Sequence, residues 1–216
     1  MSNGDATDGG GSQGTIAETA EPADPASERE AAVDPAAGSA AGGEPSVGTL
    51  AVVCGLPGVG KTTVAERVAD RVDGEILRTD VIRKELFDEP AYTDAETEAV
   101  YAKLVDRARD RVAGGSAVVL DATFADARFR ADAREVGETI ANGFTLVEVE
   151  CDESVVERRI ERRDGISDAD FEIHLHFKEL FDRIETDHVV VDNSGDQAET
   201  FAQVDAAFGG ATLGGE

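Results

Sequence analysis

Residues 55–63 read Gly-Leu-Pro-Gly-Val-Gly-Lys-Thr-Thr, directly after the apolar run Leu50-Ala51-Val52-Val53-Cys54 and directly before a segment of helical spacing from Val64 to Val72. Gly55, Gly60, Lys61 and Thr62 satisfy the pattern G-x-x-x-x-G-K-[ST]. The chemistry follows from the residue types. Glycines let backbone N–H groups curl around phosphate oxygens, and the helix beginning near Lys61 offers its positive end to them. Lys61 reaches the β- and γ-phosphates, Thr62 can hold Mg²⁺, and Gly58, Val59 and Thr63 complete the loop. A chance match in a chain of this length is on the order of one per cent at ordinary glycine usage. The strand before the loop and the helix after it remove most of that chance, so ATP and Mg²⁺ are the expected ligands.

The rest of the chain must supply a sheet for this loop. From Thr49 onward, apolar runs of strand length alternate with longer helical segments. The strand candidates are Thr49 to Cys54, Glu75 to Thr79, Ala117 to Asp121, Phe144 to Cys151 and His188 to Asp192. They are β-branched and nearly continuous, as strands buried on both faces of a parallel sheet are. Helical spacing covers Lys61 to Val72, Val81 to Phe87, Asp94 to Val112, Ala125 to Asn142, Glu153 to Arg163, Asp168 to Glu185 and Gln197 to Phe208. Strands separated by helices predict a doubly wound α/β domain over residues 48–208. Residues 1–47 are Gly, Ala, Ser, Asp, Glu and Pro with almost no large apolar side chain, and predict a disordered acidic tail. Residues 209–216 predict a flexible Gly-rich end.

The 216 residues hold 46 acids against 20 bases, a formal net charge of -26. The first 47 residues account for nine acids and one base, which leaves 37 acids, 19 bases and a net of -18 for the remainder. Such a surface repels other polyanions, so the charge disfavours long nucleic acid as a partner. Acid spread over the whole chain, with few Lys and much Ala, Val, Asp and Glu, resembles the composition of halophilic archaeal proteins. Cys54 and Cys151 are the only cysteines and lack zinc-site spacing. Both are expected at strand ends as small buried hydrophobes, in a reducing cytoplasm. No apolar window suits a membrane span or a leader peptide.

Four segments together resemble the small P-loop kinases, the group that includes polynucleotide 5'-hydroxyl kinase, gluconate kinase, adenylylsulfate kinase, chloramphenicol phosphotransferase and zeta-toxin-like enzymes. They are Gly55 to Thr63, Leu77-Arg78-Thr79-Asp80-Val81-Ile82-Arg83-Lys84-Glu85-Leu86, Val118-Val119-Leu120-Asp121-Ala122-Thr123-Phe124, and Ser167-Asp168-Ala169-Asp170. The resemblance covers roughly Thr49 to Phe208. It implies a three-layer P-loop NTPase fold of nucleoside-kinase type, with a mainly parallel five-stranded sheet in the order 2-3-1-4-5 and an Arg-rich helical lid. It also implies ATP-dependent phosphoryl transfer to a hydroxyl.

Residue roles follow from the same resemblance. Asp80 and Arg83 match an Asp-x-x-Arg after the second strand that places a carboxylate at the acceptor hydroxyl and a guanidinium on the acceptor. Asp80 as a plain helix cap is the alternative. Asp121 ends the third apolar strand, where an acid serves Mg²⁺ or the acceptor, and Thr123 and Phe124 shape the acceptor pocket; a helix-capping Asp121 stays open. Arg158, Arg159, Arg162 and Arg163 are the densest positive cluster. Arg159 and Arg163 share a helix face and resemble lid arginines that close over the triphosphate, with pairing to Glu157 and Glu161 as the alternative. Asn193, Ser194 and Gly195 line the adenine side, or form an ordinary turn. His174, His176 and His188 lack ligand or triad spacing and are assigned surface or packing roles. A small-molecule hydroxyl is the expected acceptor. A polynucleotide 5'-end is the second candidate, and a nucleotide switch with water as acceptor is the third. The oligomeric state is left open.

Overall fold

The computed structural model describes residues 47–161 and 168–209. Residues 1–46 of the expected tail, the expected lid tip with Arg162, Arg163, Gly165 and Ser167, and residues 210–216 of the Gly-rich end lie outside them.

Five strands form one sheet in the order β2-β3-β1-β4-β5. They are β1 (Leu50–Cys54), β2 (Glu75–Arg78), β3 (Val118–Asp121), β4 (Phe144–Glu150) and β5 (Val189–Asp192). All four pairings are parallel, as the resemblance implied. β1 is central, with Val53 opposite Asp121 of β3 on one side and Val147 of β4 on the other. Its five residues are all buried because helices cover both faces.

Side chains alternate across the strands and build two cores. Leu50, Val52 and Cys54 point to one face with Leu120, Leu104 and Phe124. Ala51 and Val53 point to the other with Val64, Val68, Val147 and Val204. Burial of each Val or Leu stabilises the fold by about 1.5–3 kcal/mol. The first face carries residues of α2 (Thr79–Leu86), α3 (Asp94–Ala113) and α4 (Ala127–Thr139). The second carries residues of α1 (Lys61–Val72), α5 (Glu153–Glu161) and α7 (Gln197–Phe208). α6 (Asp168–Leu180) follows α5. Arg67 of α1 donates to Asp205 of α7 at 2.8 and 2.6 Å, which steadies the helix that starts at the phosphate loop.

Several helix boundaries differ from the sequence reading: α2 ends at Leu86, α3 at Ala113 and α4 at Thr139 rather than at Phe87, Val112 and Asn142, and three further differences have a visible cause. α2 begins at Thr79 rather than Val81, because Arg78 is the last extended residue and occupies the cap position. α4 begins at Ala127 rather than Ala125: Phe124 has φ 51, which no helix admits, and Asp126 caps α4 by accepting the Arg128 N–H at 2.7 Å. α6 stops at Leu180 rather than Glu185, where the Asp182 N–H turns to the Ala125 carbonyl at 2.9 Å. No described helix is long and apolar enough to cross a membrane.

Candidate active site

The loop between β1 and α1 lies at the carboxyl edge of the sheet, where parallel strands present ligand sites. Gly55, Gly58 and Gly60 all take positive φ, at 140°, 86° and 92°. The space is closed at all three as well: a β-carbon on Gly58 would stand 2.9 Å from Val156 Cγ1. A β-carbon on Gly55 would stand 2.5 Å from the Val149 carbonyl oxygen, and one on Gly60 would stand 2.2 Å from Asn193 Nδ2. The loop is therefore glycine-dependent by conformation and by contact, and it leaves a concave row of backbone N–H groups ahead of α1.

Lys61 is the first residue of α1 and its Nζ donates to the Leu56 carbonyl at 2.9 Å, across the mouth of the loop. Burial holds its ammonium down to about 8, partly offset by the charge of Asp121. Thr62 Oγ1 donates to Asp121 Oδ2 at 2.9 Å, and Asp121 is only 5% exposed. Thr63 follows in the same first turn of α1. The residues expected to serve Mg²⁺ are thus brought together, 59 positions apart in sequence. A hydroxyl beside a buried carboxylate, next to a glycine cradle and a lysine, is a donor set of the kind that suits Mg²⁺ with a triphosphate. The capping alternative for Asp121 does not hold, since Asp126 caps α4.

The array continues toward the β2 edge. Arg78 Nε lies 3.5 Å from Asp121 Oδ2 and 3.2 Å from Asp80 Oδ1, close enough for ion pairing but without a directed hydrogen bond. Asp80 is in the first turn of α2 with its side chain 55% exposed, so it does not cap that helix. Thr62, Asp121, Arg78 and Asp80 make one chain from the phosphate loop to an exposed carboxylate. Arg78 was not singled out from the sequence, although it sits inside a quoted segment.

Arg83 is placed differently from the expected acceptor grip. It is buried against α3, with Nη1 3.4 Å from Glu96 Oε2, Nη2 donating to Thr97 Oγ1 at 3.2 Å, and its guanidinium over the Tyr92 ring. Thr123 joins the loop through its backbone: its carbonyl accepts the Gly55 N–H at 3.2 Å. Beside it opens a cavity of about 300 Å³ walled by Thr97, Tyr101, Thr123, Phe129 and Phe177. Phe124 keeps its strained φ because two groups hold its backbone. Tyr101 Oη accepts its N–H at 2.9 Å, and Arg130 Nη1 donates to its carbonyl at 2.5 Å. Burial pushes the Tyr101 hydroxyl up to about 12, so it stays a neutral phenol.

On the opposite side α5 packs onto the loop, Val156 and Ile160 lying against Gly58. This carries Arg159 to Gly60, where a β-carbon would stand 3.8 Å from its Nη1. Among the described residues, its polar contact is Cys151 Sγ at 3.5 Å and not Glu157 or Glu161. Arg163, its expected partner, lies outside the described residues. Cys54 is a buried strand-end thiol as expected, but Cys151 sits just past β4 and is half-buried, its thiol donating to the Asn193 carbonyl at 3.4 Å. Ser194 Oγ accepts the Asp152 N–H at 2.8 Å and donates to Asp192 at 2.5 Å. It lines a cavity of about 440 Å³ with Gly55, Leu56 and Val59.

Two residues hold the loop from a distance, Asn193 in place of its expected adenine-side role and His174 as a buried packing residue. Asn193, expected on the adenine side, is 7% exposed; its Nδ2 donates to the Val59 carbonyl at 2.7 Å and its Oδ1 accepts from Thr200 at 2.9 Å. His174 of α6 is 2% exposed, with Nδ1 2.7 Å from the Pro57 carbonyl, so Nδ1 carries the proton.

Residues 50–184 match the AAA_33 family, an AAA domain. The chain belongs to that family. An uncharacterized protein of Mycobacterium tuberculosis (strain H37Rv) is 35% identical over 139 residues, and a Mycobacterium bovis protein matches equally. These alignments take in 57% of this chain but only 28% of the relatives, which are far longer. Among solved structures, APS kinase of Mycobacterium tuberculosis in complex with AMPPNP and APS superposes with a TM-score of 0.62 at 20% identity, over 76% of this chain and 98% of that one. A gluconokinase from Sinorhizobium meliloti gives 0.58 at 23%, over 76% and 92%. A sugar kinase from Janibacter gives 0.59 at 18%, over 74% and 93%. The AAA_33 chain thus carries the fold of the small P-loop kinases.

Proposed function

We propose that this chain transfers the γ-phosphoryl group of ATP to a hydroxyl of a small molecule. The observation that carries the proposal is the continuous array Thr62, Asp121, Arg78, Asp80, which joins the glycine cradle to an exposed carboxylate at the β2 edge.

In this reading the backbone N–H groups of Gly58 to Thr63 and the Lys61 ammonium hold the phosphates, with Thr62 and Asp121 toward Mg²⁺ and Ser194 on the nucleotide side. Mg²⁺, when bound, neutralises charge on the phosphate oxygens. Asp80 orients the acceptor hydroxyl and takes its proton as the new O–P bond forms and the bond to the leaving ADP oxygen breaks. Arg159 and Arg163 of the lid balance charge on the transferring group. Thr123 shapes the acceptor cavity, and Arg83 supports it by fixing α2 to α3. A small acceptor is favoured over a polynucleotide because the net charge outside the tail is -18.

The test separates binding from transfer. Lys61→Ala removes the side chain that meets the β/γ-phosphates and abolishes tight Mg·ATP binding. Asp80→Asn leaves ATP affinity nearly unchanged and lowers acceptor-dependent ADP formation by about 10² or more. Weakened ATP binding with intact transfer in Asp80→Asn would assign Asp80 to the metal and move the acceptor base to Asp121.

A further inference from the structure

The cavity beside Thr123 carries an electrostatic signature that narrows the acceptor. Its mouth holds Asp94, Glu98, Asp126 and Asp182 against a single base, Arg128. Arg128 is already neutralised: its Nη2 and Nε donate to Asp126 Oδ2 at 2.7 and 3.0 Å, and its Nη1 stands 3.8 Å from Glu98 Oε1. Asp94 and Glu98 are one turn apart on α3 and so share a face.

Among the described residues, Arg83, Arg78 and Arg130 are each met by a carboxylate, a hydroxyl or a carbonyl. Arg83 is held by Glu96 and Thr97, and Arg78 lies between Asp80 and Asp121. Arg130 donates to the carbonyls of Phe124, Ala125 and Asp182. An anionic acceptor would therefore meet carboxylates at the mouth, and none of these four guanidiniums is left to receive it. The floor offers the opposite preference. Phe129 stacks on Tyr101 with centroids 4.1 Å apart, and Phe177 and Leu180 add apolar wall. Aromatic faces beside carboxylates suit the C–H face of a sugar or an ammonium group.

We propose that the acceptor is a cationic hydroxyl compound, an amino alcohol or amino sugar, whose ammonium is received by Asp94 and Glu98 while its hydroxyl is presented toward Asp80. This rests on the phosphotransferase reading for the position of the reacting hydroxyl, but the charge preference of the cavity can be measured without turnover.

The experiment uses the full chain with Mg·AMPPNP and three probes of similar size and different charge: glucosamine, glucose and gluconate. Dissociation constants are measured by calorimetry at one fixed salt concentration, for the wild type and for Asp94→Asn/Glu98→Gln. Glucosamine is expected to bind about tenfold or more tighter than gluconate, the scale of one ammonium between partly exposed carboxylates. The difference falls to about threefold or less in the double variant. Gluconate binding as tightly as glucosamine, binding of none of the three, or a preference unchanged in the double variant would each overturn the proposal. ADP formation from ATP with glucosamine is read separately. Binding in the expected order keeps the charge preference, while ADP formed at a rate that no acceptor changes refutes the phosphotransferase reading.

Discussion

Replacing Asn193 by Ala tests the distant clamp on the phosphate loop. The amide bridges two buried partners, donating to the Val59 carbonyl and accepting from the Thr200 hydroxyl. Thr200 has a second acceptor in the Asp196 carbonyl at 3.2 Å and keeps a bond after the change. The Val59 carbonyl belongs to a residue only 2% exposed. Leaving that acceptor unpaired costs about 1–3 kcal/mol. For a domain of this size, each kcal/mol lowers the melting temperature by about 2–4 °C, so a fall of roughly 2–12 °C is expected in thermal unfolding monitored by circular dichroism. Because the freed carbonyl lies in the loop itself, the dissociation constant for Mg·AMPPNP should rise by about tenfold as binding must re-order the loop. Asn193→Asp should be at least as damaging, since it sets an acceptor against an acceptor. An unchanged melting temperature together with unchanged nucleotide affinity in Asn193→Ala would refute the clamp.

Burial of Lys61 predicts a pH dependence. Its folded value of about 8 lies below its ordinary 10.5, so between these limits the folded chain binds fewer protons than the unfolded one. The stability contribution of this group therefore rises with pH above about 8, while nucleotide affinity falls there by about tenfold per pH unit, because the phosphates require the ammonium; calorimetric titration of Mg·AMPPNP from pH 7 to 9.5 that shows no such loss would contradict it. Tyr101→Phe leaves the buried Phe124 N–H unpaired and should cost about 1–3 kcal/mol in chemical denaturation. The same change should raise the acceptor KM more than the ATP KM, and equal effects on both would remove Tyr101 from the acceptor side.

The central strand and its loop were legible because their signals are local. Leu50 to Cys54 is continuously apolar, Gly55 to Thr63 is a spacing pattern, and α1 and α7 carry both their boundaries in a short stretch. Asp121 could be tied to Thr62 only through the resemblance, since 59 residues separate them and β1 must pair with β3 before they meet. Tyr101, Arg130, His174 and the clamp role of Asn193 left no local trace. Each acts on a backbone carbonyl or N–H of a remote segment, and such partners have no residue-type signature. α2 starts before the expected Val81 because the strand stops at Arg78, one residue short of the expected Thr79, and the helix follows at once without a side-chain cap. Arg83 has the spacing of an acceptor ligand, but Glu96 reaches it from α3, a pairing set by how two helices pack.

The most direct test of phosphoryl transfer follows the label from γ-³²P-ATP after incubation with Mg²⁺, the wild-type chain and pools of small hydroxyl compounds or oligonucleotides. The account predicts label in a low-molecular-weight organic phosphate, absent with Lys61→Ala and reduced by about 10² with Asp80→Asn. Label recovered only as inorganic phosphate, at a rate that no acceptor changes, would contradict it.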